Sequence, residues 1–176
     1  MISIAQATLS HYFTKFLAPS VGEILIDEAT QAKRGCCFVT LYKNGQVRGS
    51  AGNIKEIEKN LGEEIVKNTM QALVGDTRFG RVTGEEKGMI SLRLDIITQR
   101  KVIDQKTLKT LDPVKFWVIA IRRDYEKLAV ILPNISAGLL SGEDFIPVLE
   151  NKLTGEKFDE KNYIIYQIET EQETDY

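Results

Sequence analysis

The distribution of apolar residues predicts an α+β fold, a mainly antiparallel sheet flanked by α-helices. Three observations carry this reading. A run rich in β-branched and aromatic residues, 37–42, is separated by Lys43-Asn44-Gly45 from Gln46-Val47-Arg48, and Asn-Gly supplies the positive φ values of a tight hairpin. Ile90, Leu92, Leu94 and Ile96 alternate with Ser91, Arg93, Asp95 and Ile97, the period of a strand with one buried face. Along the rest of the chain helices and strands mix without the strict alternation of a parallel sheet, and hairpins dominate.

Taken in order, Leu9, Tyr12, Phe13, Phe16 and Leu17 stack on one stripe of a first helix, which Pro19 should stop. His11, the only histidine, lies beside that stripe and reads as a surface or helix-packing residue rather than a ligand or base. The 37–42 and 46–48 strands follow. Leu61, Ile65, Val66, Met70, Leu73 and Val74 then recur at helical spacing, with Gly75 placed for a C-terminal cap, and Asp76-Thr77-Arg78-Phe79-Gly80 leaves that helix as a loop. After the alternating 90–97 strand, the runs 116–122 and 127–132 flank Arg123-Asp124-Tyr125-Glu126 as a second hairpin. Phe145, Val148, Leu149 and Leu153 predict another helix closed by Gly155. Its start belongs near Asp144, because Pro147 is tolerated only in the first turn. Residues 163–168 form a last strand before a short acidic tail.

At 176 residues the chain is expected to close around one domain, with room for a smaller second lobe. A hydrophobic fraction of 43%, 27% charged residues and a mean hydropathy of −0.18 describe an ordinary globular protein. The net charge of −2 and pI of about 5.6 exclude a whole-molecule field that attracts polyanions. RNA would need a local patch built from Lys33, Arg34, Arg48, Arg78 and Arg81. No apolar run approaches a spanning helix and no basic-then-apolar leader opens the chain, so a cytoplasmic location without membrane attachment is expected. Cys36 and Cys37 are adjacent; they supply neither a disulfide framework nor spaced zinc ligands, and read as two small residues entering a strand on opposite faces. Asn134-Ile135-Ser136 is a formal glycosylation sequon that carries no weight without a secretory signal.

Ser50 resembles a nucleophile only superficially. The position two before it is Arg48, not the glycine of a hydrolase elbow, and a triad would have to draw on the single histidine. The glycines from Gly80 to Gly88 lack the Gly-Lys-Ser/Thr ending of a phosphate loop, and Glu85 and Glu86 would repel phosphate, so a solvated turn is expected there. Asp95, Asp104, Asp124 and Glu143 show no acid/base spacing and read mostly as solvated carboxylates. Arg48-Gly49-Ser50-Ala51-Gly52-Asn53 remains. Its glycines let backbone N–H groups approach a ligand, its serine adds a donor, and its guanidinium can clamp a carboxylate or phosphate. Equally, Gly49 and Gly52 permit a tight strand exit while Arg48 pairs with a carboxylate such as Asp76.

Phe38-Val39-Thr40-Leu41, then Val47-Arg48-Gly49-Ser50-Ala51-Gly52, then Asp76-Thr77-Arg78-Phe79 resemble, in order and spacing, the motifs of the AMMECR-one domain family, F-V-T-L, L-R-G-C-I-G and D-x-R-F. Residues 128–134 (LAVILPN) and 145–153 (FIPVLENKL) are similar to its later segments. The resemblance spans nearly the whole chain. It implies an α+β domain with an antiparallel sheet, a smaller lobe and a glycine-rich motif near a cleft between them. It also implies, by gene association, a modification pathway for RNA or protein with Memo-type and radical S-adenosylmethionine proteins as partners. Ser50 stands where the family has cysteine, and a serine without a base is far less reactive than a thiolate. Anion binding therefore survives where thiol chemistry does not. The ligand-binding candidates are Arg48, Gly49, Ser50, Gly52, Asn53, Asp76 and Arg78, with Asp76 orienting Arg48 or Arg78 and Phe79 as a packing anchor. The resemblance leaves catalysis open and its residues unassigned, and no cofactor or metal is expected. The other class of function is a noncatalytic module for protein–protein interaction, in which the motif is structural support.

Overall fold

The computed structural model describes every residue except 21, 134–137 and 154, so the Asn134 sequon lies outside the described residues. The chain is α+β, with antiparallel strand pairs throughout, and divides into two compact units. The first contains Met1–Ile97 and Glu171–Tyr176; the second is Thr98–Thr170.

In the first unit, helix α1 (Ile2–Lys15), the short α2 (Glu28–Ala32) and α3 (Leu61–Val74) accompany strands β1 (Cys37–Lys43), β2 (Gln46–Gly52) and the first part of β3 (Ile90–Ile103). β1 is central, antiparallel to β2 on one side and to β3 on the other. The predicted hairpin forms: Lys43 pairs with Gln46, and Asn44 (φ 52°) and Gly45 (φ 76°) both adopt the left-handed conformation that a two-residue turn needs. One core face gathers Cys37, Val39, Leu41, Leu92, Leu94 and Ile96 against Tyr12 and Phe13 of α1 and Leu61, Ile65 and Leu73 of α3.

α1 buries Ile4, Ala5, Thr8, Tyr12 and Phe13, so the apolar stripe runs toward the N-terminus rather than through Phe16 and Leu17. Those two are exposed because the helix ends at Lys15, three residues short of the Ala18 limit that Pro19 sets. Phe16 turns left-handed (φ 53°), and its N–H still reaches the Tyr12 carbonyl at 2.6 Å. His11 sets its Nε2 3.9 Å from Glu23, a carboxylate already held by Lys15 and Ser20. α3 starts at Asn60, whose side chain accepts the Glu63 N–H, and ends at Gly75 in a right-handed conformation that uses no glycine freedom. Both cysteines are buried and neither is in a disulfide, and burial pushes the Cys37 thiol up to about 12.

In the second unit, β4 (Trp117–Arg122) lies between β5 (Leu128–Ile131) and β6 (Tyr163–Thr174), antiparallel to both, as the second hairpin required. Helices α4 (Gln105–Leu108) and α5 (Phe145–Lys152) complete it. Its core contains Leu108, Val118, Ala120, Ile131, Phe145, Leu149 and Ile165. Pro147 sits in the first turn of α5, and Gly155 (φ 78°) closes the helix by donating to the Glu150 carbonyl. The acidic tail is not a loose end. β6 continues through Thr174, Glu173 accepts the Ile2 N–H at 2.7 Å, and Asp175 accepts the Leu92 N–H at 2.6 Å.

Candidate functional site

The register of the first hairpin explains where the motif arginine goes. Leu41 pairs with Gly49 but Tyr42 pairs with Val47, so Arg48 is the extra residue of a β-bulge on β2. A bulge re-aims its side chain. The Arg48 guanidinium turns onto Glu86, with Nε 2.8 Å from one carboxylate oxygen and Nη2 2.9 Å from the other, and its remaining donors reach the carbonyls of Gly80 and Arg81. Lys43 adds a bond to Glu86 at 3.0 Å, and the Thr83 N–H another at 2.9 Å. The hydrogen bonds from Arg48 hold the Glu86 carboxyl at about 2, well below the usual range. Glu86 is buried, so the turn expected to be solvated is instead the anchor of the motif arginine. Tyr12 Oη and the Val82 N–H pin the same loop, to the carbonyl of Val82 and of Leu73 respectively.

Asp76 does not pair with Arg48; it pairs with Arg78. Nε and Nη2 of Arg78 lie 2.9 and 2.7 Å from the two Asp76 oxygens, and the Ser50 N–H donates to the same carboxylate at 2.8 Å. Burial works against the charge of Asp76, but these bonds outweigh it and hold its carboxyl below the usual range. The Arg78 side chain is 57% exposed while that of Asp76 is 5% exposed. The guanidinium also lies 5.1 Å over the Phe79 ring. Phe79 is thus half-exposed, a plate under Arg78 rather than a core anchor. Ser50 Oγ is 3.1 Å from Thr40 Oγ1, its cross-strand partner.

The motif glycines are explained by packing. A Cβ at Gly49 would stand 2.3 Å from the Ala72 carbonyl oxygen of α3, and one at Gly52 would stand 2.2 Å from the Phe38 ring. Asn53 belongs to another cluster. Its amide donates to Glu64 at 3.0 Å, the Asn68 amide donates to the Cys37 carbonyl at 3.1 Å, and Glu64 receives the N–H groups of Ile57 and Glu58. The structure therefore brings Ser50, Asp76 and Arg78 to one corner, sends Arg48 to Glu86, and bolts Asn53 to the buried face of α3.

Glu86, Glu64 and Asn68 are absent from the sequence-derived set. Thr83-Gly84-Glu85-Glu86 has the pattern of a capping box, the signal that could have marked Glu86 as structured. Glu64 and Asn68 fall one turn apart between Leu61, Ile65 and Ala72, polar residues inside an apolar stripe. Asp95, read as solvated, is fully buried and bonded twice by Arg93, at 2.8 and 2.9 Å. Among the described residues no group of three or more His, Cys, Asp or Glu is arranged to hold a metal, and no helix is long and apolar enough to cross a membrane.

A sequence model of the AMMECR1 family matches residues 2–171. The protein CA_C1420 of Clostridium acetobutylicum is 31% identical over 135 residues, covering 76% of this chain and 28% of that protein. A protein of Thermotoga maritima is 31% identical over 111 residues, covering 62% of each chain. The matched stretch thus spans less than two thirds of either relative. In three dimensions the uncharacterized protein PH0010 from Pyrococcus horikoshii is similar over 97% of this chain and 87% of its own, with a TM-score of 0.76 and 16% identity, a likeness of fold.

Proposed function

The chain belongs to the AMMECR1 family, and from that premise we propose that it recognises an anionic group, on a small molecule or on a larger substrate, at the Ser50–Asp76–Arg78 corner of its first unit. The observation that carries this reading is the presentation of Arg78. Its guanidinium is exposed, held in plane by a bidentate bond to a buried carboxylate and backed by an aromatic ring. A planar fork fixed in advance loses little entropy on meeting a carboxylate or phosphate. Arg48 is the strut of this arrangement: its donors are committed to Glu86 and the loop carbonyls, so the clamp passes to Arg78.

Titration with inorganic phosphate against chloride at equal ionic strength, read by thermal unfolding, tests the reading. The wild-type chain should gain stability with phosphate concentration, as binding to the folded state requires. Arg78→Ala should weaken apparent phosphate affinity roughly tenfold, the scale of a lost charge-assisted bond. An equal response in Arg78→Ala would remove the clamp.

A second reading has its own observation. Arg78 stacked on half-exposed Phe79 is also the residue pair that protein interfaces favour, so a noncatalytic interaction module would dock here. Co-purification with Memo-type or radical S-adenosylmethionine proteins that is lost in Arg78→Ala, together with no response to phosphate, would select it.

A further inference from the structure

A concave feature of the first unit is lined by none of the motif residues. It is a groove of about 570 Å³ between residues 18–20 and 22–31 on one side and the outer face of α3 on the other. Its apolar lining includes Ile24, Ile26, Val66 and Met70; Val66 and Met70 fall one turn apart on α3, and each is only partly covered by the core it packs against. The size falls within the range of small-ligand sites, and the flexible thioether of Met70 suits an occupant of variable shape.

The polar lining indicates the charge of the occupant. Glu58 and Glu63 are half-buried where the groove meets the start of α3, and neither joins an ion pair among the described residues. The contact made by the Glu63 side chain is a long bond, 3.3 Å, from the Asn60 amide. Lys67 is the one cationic residue of the lining and is exposed, so carboxylates outnumber ammonium groups beside the apolar surface. A surface of that composition is complementary to a cation and repels an anion.

We propose that this groove binds a small amphiphile with an apolar body and a single ammonium head, the body against Ile24, Ile26, Val66 and Met70 and the head against Glu58 and Glu63. The site is separate from the anion-recognition corner and does not depend on it.

Two probes with one body and opposite heads, 4-phenylbutylamine and 4-phenylbutyrate, test the proposal on the intact chain. Methyl resonances of Ile24, Ile26 and Met70 should shift saturably with the amine. Its affinity should exceed that of the acid about tenfold, as two partly exposed charge pairs allow. Glu58→Gln combined with Glu63→Gln should erase that preference while the methyl shifts persist. Val66→Trp, which fills the groove, should abolish binding of both probes with the amide spectrum of the rest of the unit retained. Equal affinities in the wild-type chain, tighter binding of the acid, or the absence of saturable shifts at these methyls would each overturn the proposal.

Discussion

Glu86 gathers Arg48, Lys43 and the Thr83 N–H around one buried carboxylate, and removing a single partner has a definite cost. Arg48→Met keeps the bulk but strands that charge, which should lower unfolding stability by about 2–4 kcal/mol in urea titration, with Arg48→Lys intermediate. The same carboxylate sets an acid limit. Its folded value of about 2 lies below the ordinary 4.5, so its contribution is complete above about 4.5 and is lost as pH falls toward about 2. Between those values the wild-type chain should lose stability with acid more steeply than Glu86→Gln, as measured by chemical unfolding at successive pH values. A parallel slope would assign the effect to other carboxylates. The motif arginine was legible in the sequence while its partner was not, because pairing depends on the bulge that turns Arg48 onto the 80–86 loop, and no local pattern announces one extra residue in a strand. The burial of Asp95 escapes the sequence for a related reason. Its alternation placed it on the face away from Leu92 and Leu94, but alternation does not say that this second face is also covered.

At the level of elements, the contact of β2 with α3 decides the geometry of the corner. Gly49 lets the strand lie against the Ala72 carbonyl, and no side chain fits there without moving backbone. Gly49→Ala should therefore cost about 2–3 kcal/mol, the scale of overpacking a tight contact. It should also loosen the Ser50 N–H from Asp76, seen as faster amide exchange at Ser50. Unchanged exchange with unchanged stability would show that the strand can shift at no cost. The periodicity is legible for α3, α5, β3 and both hairpins, since each repeats for several residues. Element ends were less legible. α1 stops at Phe16 by adopting a left-handed conformation uncommon for a bulky residue, and β6 runs on through an acidic stretch whose side chains find N–H donors on distant segments.

For the whole molecule, the last residues belong to the first unit although the strand that leads to them begins in the second. Glu173 and Asp175 tie that return to Ile2 and Leu92, and Tyr176 sets its ring 5.9 Å from Tyr42. Glu173→Ala with Asp175→Ala should thus destabilise the first unit in preference to the second. Composition makes this measurable. Both cysteines lie in the first unit, and the single tryptophan, Trp117, lies fully buried in the second. The double variant should accelerate reaction of Cys36 and Cys37 with a thiol reagent at pH 8 while the Trp117 emission midpoint in urea stays in place; movement of both together would mean that the units open as one. A Cys37 thiol raised to about 12 is almost wholly protonated at that pH and the Cys36 side chain is buried, so the folded first unit should react slowly with the reagent. The chain thereby comes with its own two-channel readout, sulfur chemistry for one unit and indole light for the other; since both proposed sites lie in the first unit, a ligand bound at either should slow the thiol reaction while the Trp117 emission serves as the internal control.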